Sequence, residues 1–389
     1  MLKSYSRKRV RDVGLHASWD ALPDAFFDRL GIPRADLKAA QLGLEGHIVV
    51  PTDASYDEDR ALRNPVFNPQ PAAIVFCVVE SDVAIALTLA RTSGQPFTVR
   101  SGGHCNAGFS AATGVLIDVQ GLSCITVDAT NRVATVGTGC MFGPLNKSLQ
   151  SYGLHVPGGE CDDVCVGGFV QGGGLGFTSV TFGMNCDNVI ELKVMLHDGS
   201  IVVANQTTNY DLWWAMRGGT GGNFGVLLSV TYTLYPLTTV SGWALAWPLS
   251  SAADVAAATD VMMLLQQSYM RGSAYAPNLN IQVLTVYQTI FDPAQPPAST
   301  PFPVFMVRGL WVGDPGEAGQ AMAPLQKMPG CVTQWTMTDT YINVINALLS
   351  NPQDQPLITS MPFLDKASRY VATELTAQQW TSILNLYLT

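Results

Sequence analysis

Two glycine-rich segments stand out because each carries a residue type that can do chemistry. The first, VRSGGH, follows a short β-rich run and ends at His104, and the second, PGGECDDVCVGGFVQGGGLGF, contains Cys161 and Cys165. Imidazole changes its charge near neutral pH, and a cysteine reacts as its thiolate. Glycine loses more backbone entropy on folding than any other residue, so glycines at this density must gain something from their missing side chains. The pattern indicates backbone turns that another group approaches closely.

The first segment has two interpretations. Its backbone N–H groups at Gly102 and Gly103 can converge on an anion, but the same residues also suit a simple tight turn. The chain contains no G-x-G-x-x-G, G-x-x-x-x-G-K-[ST], H-E-x-x-H or G-x-S-x-G sequence, and its eight cysteines form no C-x-x-C pair. These absences argue against an NAD(P)-dependent dinucleotide fold, a P-loop, a serine-hydrolase elbow and a metal site.

Composition narrows the class of protein. The chain has 389 residues, 47% of them apolar, and a formal net charge of -9. This size and apolar content predict a globular protein with two domains, and the negative charge argues against a nucleic-acid partner. No apolar leader segment follows the basic N-terminus, and no apolar stretch is long enough for a membrane span. The expected location is therefore the cytoplasm, or outside the cell if a signal peptide has been removed.

The order of predicted elements divides the chain near residue 240. Strand-like and helix-like runs alternate from about Ala72 to the segment LLSVTYTLYP, whereas from residue 241 helices accompany strands of alternating polarity. The second pattern is typical of an antiparallel sheet with helices on one face. The predicted class is α+β.

Several motifs together resemble one known family. VRSGGH, GGECDDVCVGGFVQGGGLG, FGMNCDNV, DLWWAMRGGTGGNFGV and FLDKASRYV are similar in content and order to motifs of the berberine bridge enzyme-like FAD-linked oxidases, in the vanillyl-alcohol oxidase superfamily. The resemblance covers roughly residues 65–389. It implies a PCMH-type FAD-binding domain of two α/β subdomains within residues 1–240, with a core at about 67–237. Residues 241–389 would then form a substrate-binding domain with an antiparallel sheet flanked by helices.

The resemblance also implies roles for the two glycine-rich segments. The turn Arg100, Ser101, Gly102 and Gly103 corresponds to the backbone that holds the FAD pyrophosphate, and His104 corresponds to the histidine bonded to the flavin 8α carbon. Further positions correspond to cofactor-binding residues of the family: Cys105, Gly108, Val164, Gly167, Gly168, Gly172, Gly173, Gly174, Gly176, Asn188 and Val226.

A second covalent bond, to flavin C6, is implied at Cys161, which matches the cysteine of the family sequence G-x-C-P-x-V-G-V-G-G. Asp162 replaces the proline of that sequence and Cys165 replaces a glycine. Cys165 remains an alternative nucleophile or a buried thiol, and attachment through His104 alone remains a third possibility. Val164 has the small aliphatic side chain that the family associates with access of oxygen, which favours an oxidase.

The implied activity is oxidation of a small alcohol, sugar or amine, with hydride passing to FAD and then to O2 to give H2O2. Alternatives are a dehydrogenase with another acceptor and a flavin-binding protein without turnover. Tyr287 and Tyr341 are candidate catalytic bases, because aromatic residues of the second domain should contact the substrate; a tyrosine base needs a neighbour that lowers its pKa from near 10. Lys366, Ser368 and Tyr370 correspond to the cleft of family members. Those proteins continue for roughly another hundred residues, so the domain is expected to be incomplete at Thr389. The sequence does not specify an oligomeric state.

Overall fold

A computed structural model of the protein describes residues 19–111, 113–270, 273–349 and 371–388. Helices and sheets are mixed throughout these ranges, which confirms the predicted α+β class. Lys366, Ser368 and Tyr370 lie outside the described residues. None of the described helices combines the length and the apolar character that a bilayer crossing requires.

The first sheet mixes parallel and antiparallel pairs. It consists of β1 (His47–Val49), β2 (Ala73–Phe76), β3 (Phe97–Arg100) and β4 (Val115–Asp118), in the order β1-β2-β4-β3. Its helices are α1 (Asp24–Leu30), α2 (Arg34–Gly43), α3 (Tyr56–Asp59) and α4 (Glu80–Thr92). Strands β2 and β3 both run parallel to β4, and Arg100 lies in register with Asp118. The VRSGGH turn therefore leaves the sheet at the carboxyl end of β3.

The second sheet is antiparallel and has the order β5-β6-β10-β8-β9. The strands of this part of the chain are β5 (Ile125–Asp128), β6 (Val133–Gly137), β7 (Leu154–His155), β8 (Val189–Met195), β9 (Ile201–Asn205), β10 (Val226–Thr233) and β11 (Tyr235–Pro236). Strands β7 and β11 pair with each other. The helices are α5 (Phe142–Gln150), α6 (Val166–Gln171), α7 (Ser179–Phe182) and α8 (Tyr210–Ala215), with a 3-10 turn at Asn185–Asn188. The second glycine-rich segment therefore starts helix α6.

The third sheet is antiparallel and has the order β13-β14-β12-β15. Its strands are β12 (Val240–Pro248), β13 (Leu279–Gln288), β14 (Phe302–Trp311) and β15 (Val332–Asp339). Its helices are α9 (Ala252–Ser268), α10 (Pro315–Gln326), α11 (Tyr341–Leu349) and α12 (Ala377–Asn385). Helices α9 and α10 begin at side-chain caps, because Ser251 accepts a hydrogen bond from the backbone of Asp254 and Asp314 accepts from Gly316.

Helices lie on both faces of the third sheet, whereas the sequence pattern indicates one face. Trp243 and Val307 pack with α9 and α10 in one core, and Leu310 packs with Val344 of α11 in another. Residues of opposite parity on a strand point to opposite faces, so α11 lies across the sheet from α9 and α10. Gly242 allows this approach, because a Cβ there would lie 2.3 Å from Cγ1 of Val344. The polar residues Gln282 and Arg308 share the α11 face by the same parity.

Candidate functional site

The turn at His104 is anchored by a buried ion pair. Nε of Arg100 donates to Oδ2 of Asp118 at 2.6 Å, and a second guanidinium nitrogen donates to the carbonyl of Asp59 at 2.6 Å. Both charged side chains are less than a tenth exposed. The Arg100 side chain is thus committed to the protein, which leaves the backbone of the following residues to contact a ligand.

The two glycine-rich segments are in direct contact. A Cβ at Gly102 would lie 3.0 Å from Sγ of Cys165, and a Cβ at Gly167 would lie 2.8 Å from Oγ of Ser101. The backbone N–H of Gly167 also donates to the carbonyl of Thr138 at 2.9 Å. Side chains at either glycine would push the two segments apart, so the glycines are required for the contact.

Cys165, which belongs to the second segment, packs against Gly102 of the first. Its side chain is buried, and Sγ donates to the carbonyl of Gly139 at 3.3 Å. A thiol in this position is shielded from any ligand at the surface, which supports the structural interpretation of Cys165 over its role as a nucleophile.

Residues Glu160–Asp163, in the second segment, form an acidic loop that contacts the end of the first segment through charged groups. Oδ2 of Asp163 lies 3.3 Å from Nε2 of His104 and 3.4 Å from a guanidinium nitrogen of Arg63. The backbone N–H of Arg63 donates to the carbonyl of Gly103 at 3.2 Å. The hydrogen bond from His104 and the charge of Arg63 lower the pKa of the Asp163 carboxyl, although partial burial opposes them.

Cys161 lies on the same loop with its side chain exposed. Partial desolvation raises the pKa of its thiol, the carboxylates of Asp163, Glu160 and Asp162 raise it further, and only Arg63 opposes them. Cys161 is therefore accessible but protonated at neutral pH. Accessibility supports the predicted bond to a ligand, while the protonation slows it.

The α11 face of the third sheet meets the other end of the acidic loop. One guanidinium nitrogen of Arg308 lies 3.9 Å from Oε2 of Glu160, and Nε donates to Oε1 of Gln282 at 2.6 Å. The remaining guanidinium nitrogen donates to the carbonyl of Leu348 in α11, and the guanidinium carbon lies 5.6 Å from the Phe177 ring centroid. The acidic loop thus lies between His104 on one side and the third sheet on the other.

The structure separates the two candidate tyrosines. Tyr341 is buried beside the acidic loop, and its hydroxyl has no hydrogen-bond partner among the described residues. Burial raises the pKa of its phenol, and the carboxylates of Glu160 and Asp162 raise it further, so Tyr341 suits a hydrogen-bond donor better than a base. Tyr287 is on the α9 face by strand parity, and its hydroxyl contacts the carbonyl of Tyr387 at 3.5 Å. The structure does not bring Tyr287 to the acidic loop.

The remaining predicted glycines fall into two groups. Most stand where a side chain has no room: a Cβ would lie 1.9 Å from the carbonyl oxygen of Gly158 at Gly176, and 2.4 Å from the Phe67 ring at Gly108. Gly173 and Gly174 have left-handed backbone, and Gly172 caps helix α6. Gly168 differs, because a Cβ there would meet no atom within 4 Å. The open space over Gly168 is where a ligand could approach the backbone.

The other predicted cofactor residues are built into the fold. Asn188 is buried and donates from its amide to the carbonyls of Phe182 and Met184, and Val226 is buried in β10. Val164 is partly buried, and its carbonyl accepts the backbone N–H of Phe142 at 3.0 Å. Cys105 is partly exposed, immediately after His104.

Four residues of the site were not predicted from the sequence: Arg63, Glu160, Asp163 and Arg308. The acidic run around Cys161 contained a signal for Asp163, because three carboxylates beside a thiol need a counter-charge. Arg63 and Arg308 reach the loop from distant parts of the chain, and no local motif surrounds them. Only the fold identifies them as neighbours.

Part of the chain matches a known protein family. Residues 71–205 match the FAD binding domain family. The chain is 34% identical over 209 residues to the uncharacterized FAD-linked oxidoreductase YgaK of Bacillus subtilis, a match that covers 52% of this chain and 46% of YgaK. The chain therefore carries an FAD binding domain and is related to FAD-linked oxidoreductases, and its matched part spans a little under half of that relative.

Solved structures agree on the fold. The 6-hydroxy-D-nicotine oxidase of Arthrobacter nicotinovorans superposes with a TM-score of 0.69 at 24% identity, covering 80% of this chain and 65% of that one. A berberine bridge enzyme variant described as a reticuline dehydrogenase superposes with a TM-score of 0.73 at 20% identity, covering 91% of this chain and 71% of that one. The resemblance predicted from the sequence is thereby confirmed, and the chain has the fold of this group of flavoproteins.

Proposed function

We propose that this protein is an FAD-dependent oxidase of CH–OH or CH–NH groups in a small-molecule substrate, with FAD bound covalently through His104. The observation that supports it most directly is the position of His104, which ends a glycine turn packed against a second glycine segment inside the matched FAD binding domain. The turn would supply FAD with a backbone cradle and a partly exposed imidazole at its edge. Cys161 is the candidate for a second bond, to the same flavin.

The residues of the chain would bind and orient the cofactor. The backbone from Ser101 to Gly103 would hold the pyrophosphate, and the open space over Gly168 would admit it. When bound, FAD would supply the redox chemistry, which is acceptance of hydride from the substrate carbon and reoxidation by O2 to H2O2. The protein would provide the orientation and the electrostatics of that site.

Substrate recognition is proposed for the α11 face of the third sheet. We assign residues 1–240 to an FAD-binding domain and residues 241–389 to a substrate-binding domain. The buried hydroxyl of Tyr341 has no partner among the described residues, and Gln282 and Arg308 present polar groups on the same face. A substrate with oxygen or nitrogen acceptors would satisfy the Tyr341 hydroxyl, because a buried donor without a partner costs free energy.

Flavin content tests the proposal. The purified protein is expected to be yellow and to retain flavin after denaturation. His104→Ala should keep only the flavin that is attached through Cys161, and the His104→Ala, Cys161→Ala double variant should lose the covalent fraction. The measurement is intact mass together with flavin fluorescence of the denatured band. His197→Ala, at an exposed histidine, is the matched control and should retain covalent flavin.

Peroxide formation separates the possible activities. Bleaching of the bound flavin by a panel of alcohols, sugars and amines, followed by H2O2 release in air, supports an oxidase. Bleaching without peroxide indicates a dehydrogenase with another acceptor. Colourless protein without flavin, or covalent flavin that survives in a His104→Ala, Cys161→Ala double variant, contradicts the proposal.

Gly168→Ala is expected to move stability and cofactor binding in opposite directions. The position is exposed, helical and free of neighbours, so alanine should raise the free energy of unfolding by about 0.5–1 kcal/mol. A methyl group in the open space over residue 168, where FAD is proposed to bind, should weaken FAD binding by roughly 5- to 150-fold. Urea unfolding and FAD titration give the two quantities. Gly319→Ala, at an equally open position in α10, should give the stability gain alone.

A further inference from the structure

Asp163 contacts both of the groups that define the first glycine turn. Its Oδ2 lies 3.3 Å from Nε2 of His104 and 3.4 Å from the guanidinium of Arg63, whose own backbone N–H holds the carbonyl of Gly103. The carboxylate is also two residues from Cys161 along the acidic loop. One charged group therefore contacts His104 and acts through its charge on the thiol of Cys161, the two proposed points of flavin attachment.

The contact with Asp163 distinguishes the two nitrogens of the His104 ring. A carboxylate accepts a hydrogen bond from Nε2–H, and in a neutral imidazole the other nitrogen is then the acceptor. Nδ1 has no hydrogen bond to a described residue, and the side chain is partly exposed. The pair thus presents a lone pair on Nδ1 to the space at the end of the turn.

We propose that Asp163 is the positioning residue for covalent flavin attachment, because its carboxylate holds His104 in the tautomer whose Nδ1 bonds to the flavin. This inference rests on the proposed function, that the chain binds FAD at this turn. Arg63 would keep Asp163 ionised and aimed at the ring. The attached atom is then Nδ1, and Nε2 remains directed at the carboxylate.

Charge explains why a carboxylate helps this step. A bond forms between Nδ1 and the 8α carbon of FAD, and a C–H bond at that carbon breaks. The ring becomes an imidazolium while Nε2 keeps its proton, and loss of that proton through Asp163 restores the neutral ring. The two electrons of the broken C–H bond pass to the flavin and then to O2. Together with the proton from that C–H bond and the proton lost from Nε2, they give H2O2. Asp163 stabilises the cation that forms on His104.

The same carboxylate has the opposite influence on Cys161. A negative charge close to a thiol disfavours the thiolate, and the thiolate is the reactive form. Asp163 therefore favours His104 as the first point of attachment and delays Cys161. Asp162 directly follows Cys161 in the chain but has no contact with His104 among the described residues.

The neighbouring aspartates make a matched pair of variants. Apo-protein of wild type, Asp163→Asn and Asp162→Asn is mixed with FAD in air, and covalent incorporation is followed by flavin fluorescence after denaturation. Asp163→Asn should bind FAD yet incorporate it roughly 10- to 100-fold more slowly. Asp162→Asn should incorporate it at the wild-type rate. Both variants should alkylate Cys161 faster with iodoacetamide, by about two- to fivefold.

Two further readouts separate positioning from a structural role. Asp163→Glu restores a carboxylate and should recover most of the rate, and NMR of the flavin peptide from the wild type should place the bond on Nδ1. Asp163→Asn should lower the free energy of unfolding by no more than about 1 kcal/mol, because the side chain is half exposed and its ion pairs are screened by water.

The outcomes distinguish this inference from the proposed function. Wild-type incorporation that Asp163→Asn leaves unchanged, or a bond on Nε2, overturns the role of Asp163 while FAD binding stands. Equal slowing by Asp162→Asn also overturns it, because only net charge would then matter. A wild type that takes up no FAD overturns the proposed function and this inference together.

Discussion

Asp118→Asn is expected to lower the free energy of unfolding by about 3–5 kcal/mol. Asp118 and Arg100 form an ion pair at 2.6 Å between side chains that are 3% and 7% exposed. Burial raises the pKa of the Asp118 carboxyl, while the charge of Arg100 and the hydrogen bond from it lower that pKa. The amide would leave the Arg100 cation buried without a counter-charge. Urea unfolding followed by circular dichroism measures the loss.

An exposed pair of the same chemistry is the control. Arg60 and Asp57 are 2.8 Å apart, but the Asp57 side chain is 84% exposed. Asp57→Asn should cost no more than about 1 kcal/mol, because water screens and solvates exposed charges. Equal losses for the two variants would contradict the assignment of Arg100 and Asp118 as an anchor of the turn. Covalent flavin should fall with Asp118→Asn, since Arg100 directly precedes that turn.

Acid is expected to destabilise the protein through His155. Burial lowers the pKa of this histidine from 6.5 to about 3, and Nε2 shares a hydrogen bond of 2.8 Å with the hydroxyl of Thr178. Below pH 6.5 the unfolded chain binds a proton at His155, whereas the folded chain binds it only near pH 3. The contribution of His155 to the free energy of unfolding is therefore complete above pH 6.5 and is lost as the pH falls from 6.5 towards 3. The loss between pH 7 and pH 5 should be about 2 kcal/mol.

The pH dependence of unfolding checks this prediction. His155→Gln keeps a hydrogen-bonding side chain but cannot titrate, so its free energy of unfolding should fall by about 2 kcal/mol less than that of the wild type over the same interval. His197→Gln, at an exposed histidine, should follow the wild type. Equal losses in the wild type and in His155→Gln would contradict the prediction, because His155 would then take up a proton as readily in the folded chain as in the unfolded one.

The fold class and the glycine segments could be predicted from the sequence because their signals are local. Glycine at Gly102 and Gly167 was required by contacts that tolerate no side chain, and such positions leave a motif that can be recognised in one chain. Alternating polarity likewise predicted the third sheet. These features depend on a few neighbouring residues.

The partners of those segments could not be predicted because they depend on the tertiary fold. Tyr287 is an aromatic residue of the second domain, which made it a candidate from the sequence. Strand parity and the packing of α12 against α9 determine instead that it faces Tyr387. Asp163 contacts His104 because the two glycine segments lie against each other in the fold. Helix α11 takes the face opposite α9 because Gly242 leaves room for Val344.

Arg308 links parts of the molecule that evolution would otherwise adjust separately. Its guanidinium joins Gln282 on the third sheet, Leu348 on α11 and Glu160 on the acidic loop. If this face binds the substrate as proposed, a substitution there that suits a new substrate would also shift the loop that carries Cys161 and Asp163. The proposed functions would then be coupled: a change in specificity would also change cofactor attachment, and redesign of this face would have to conserve Arg308 or replace its three contacts at once.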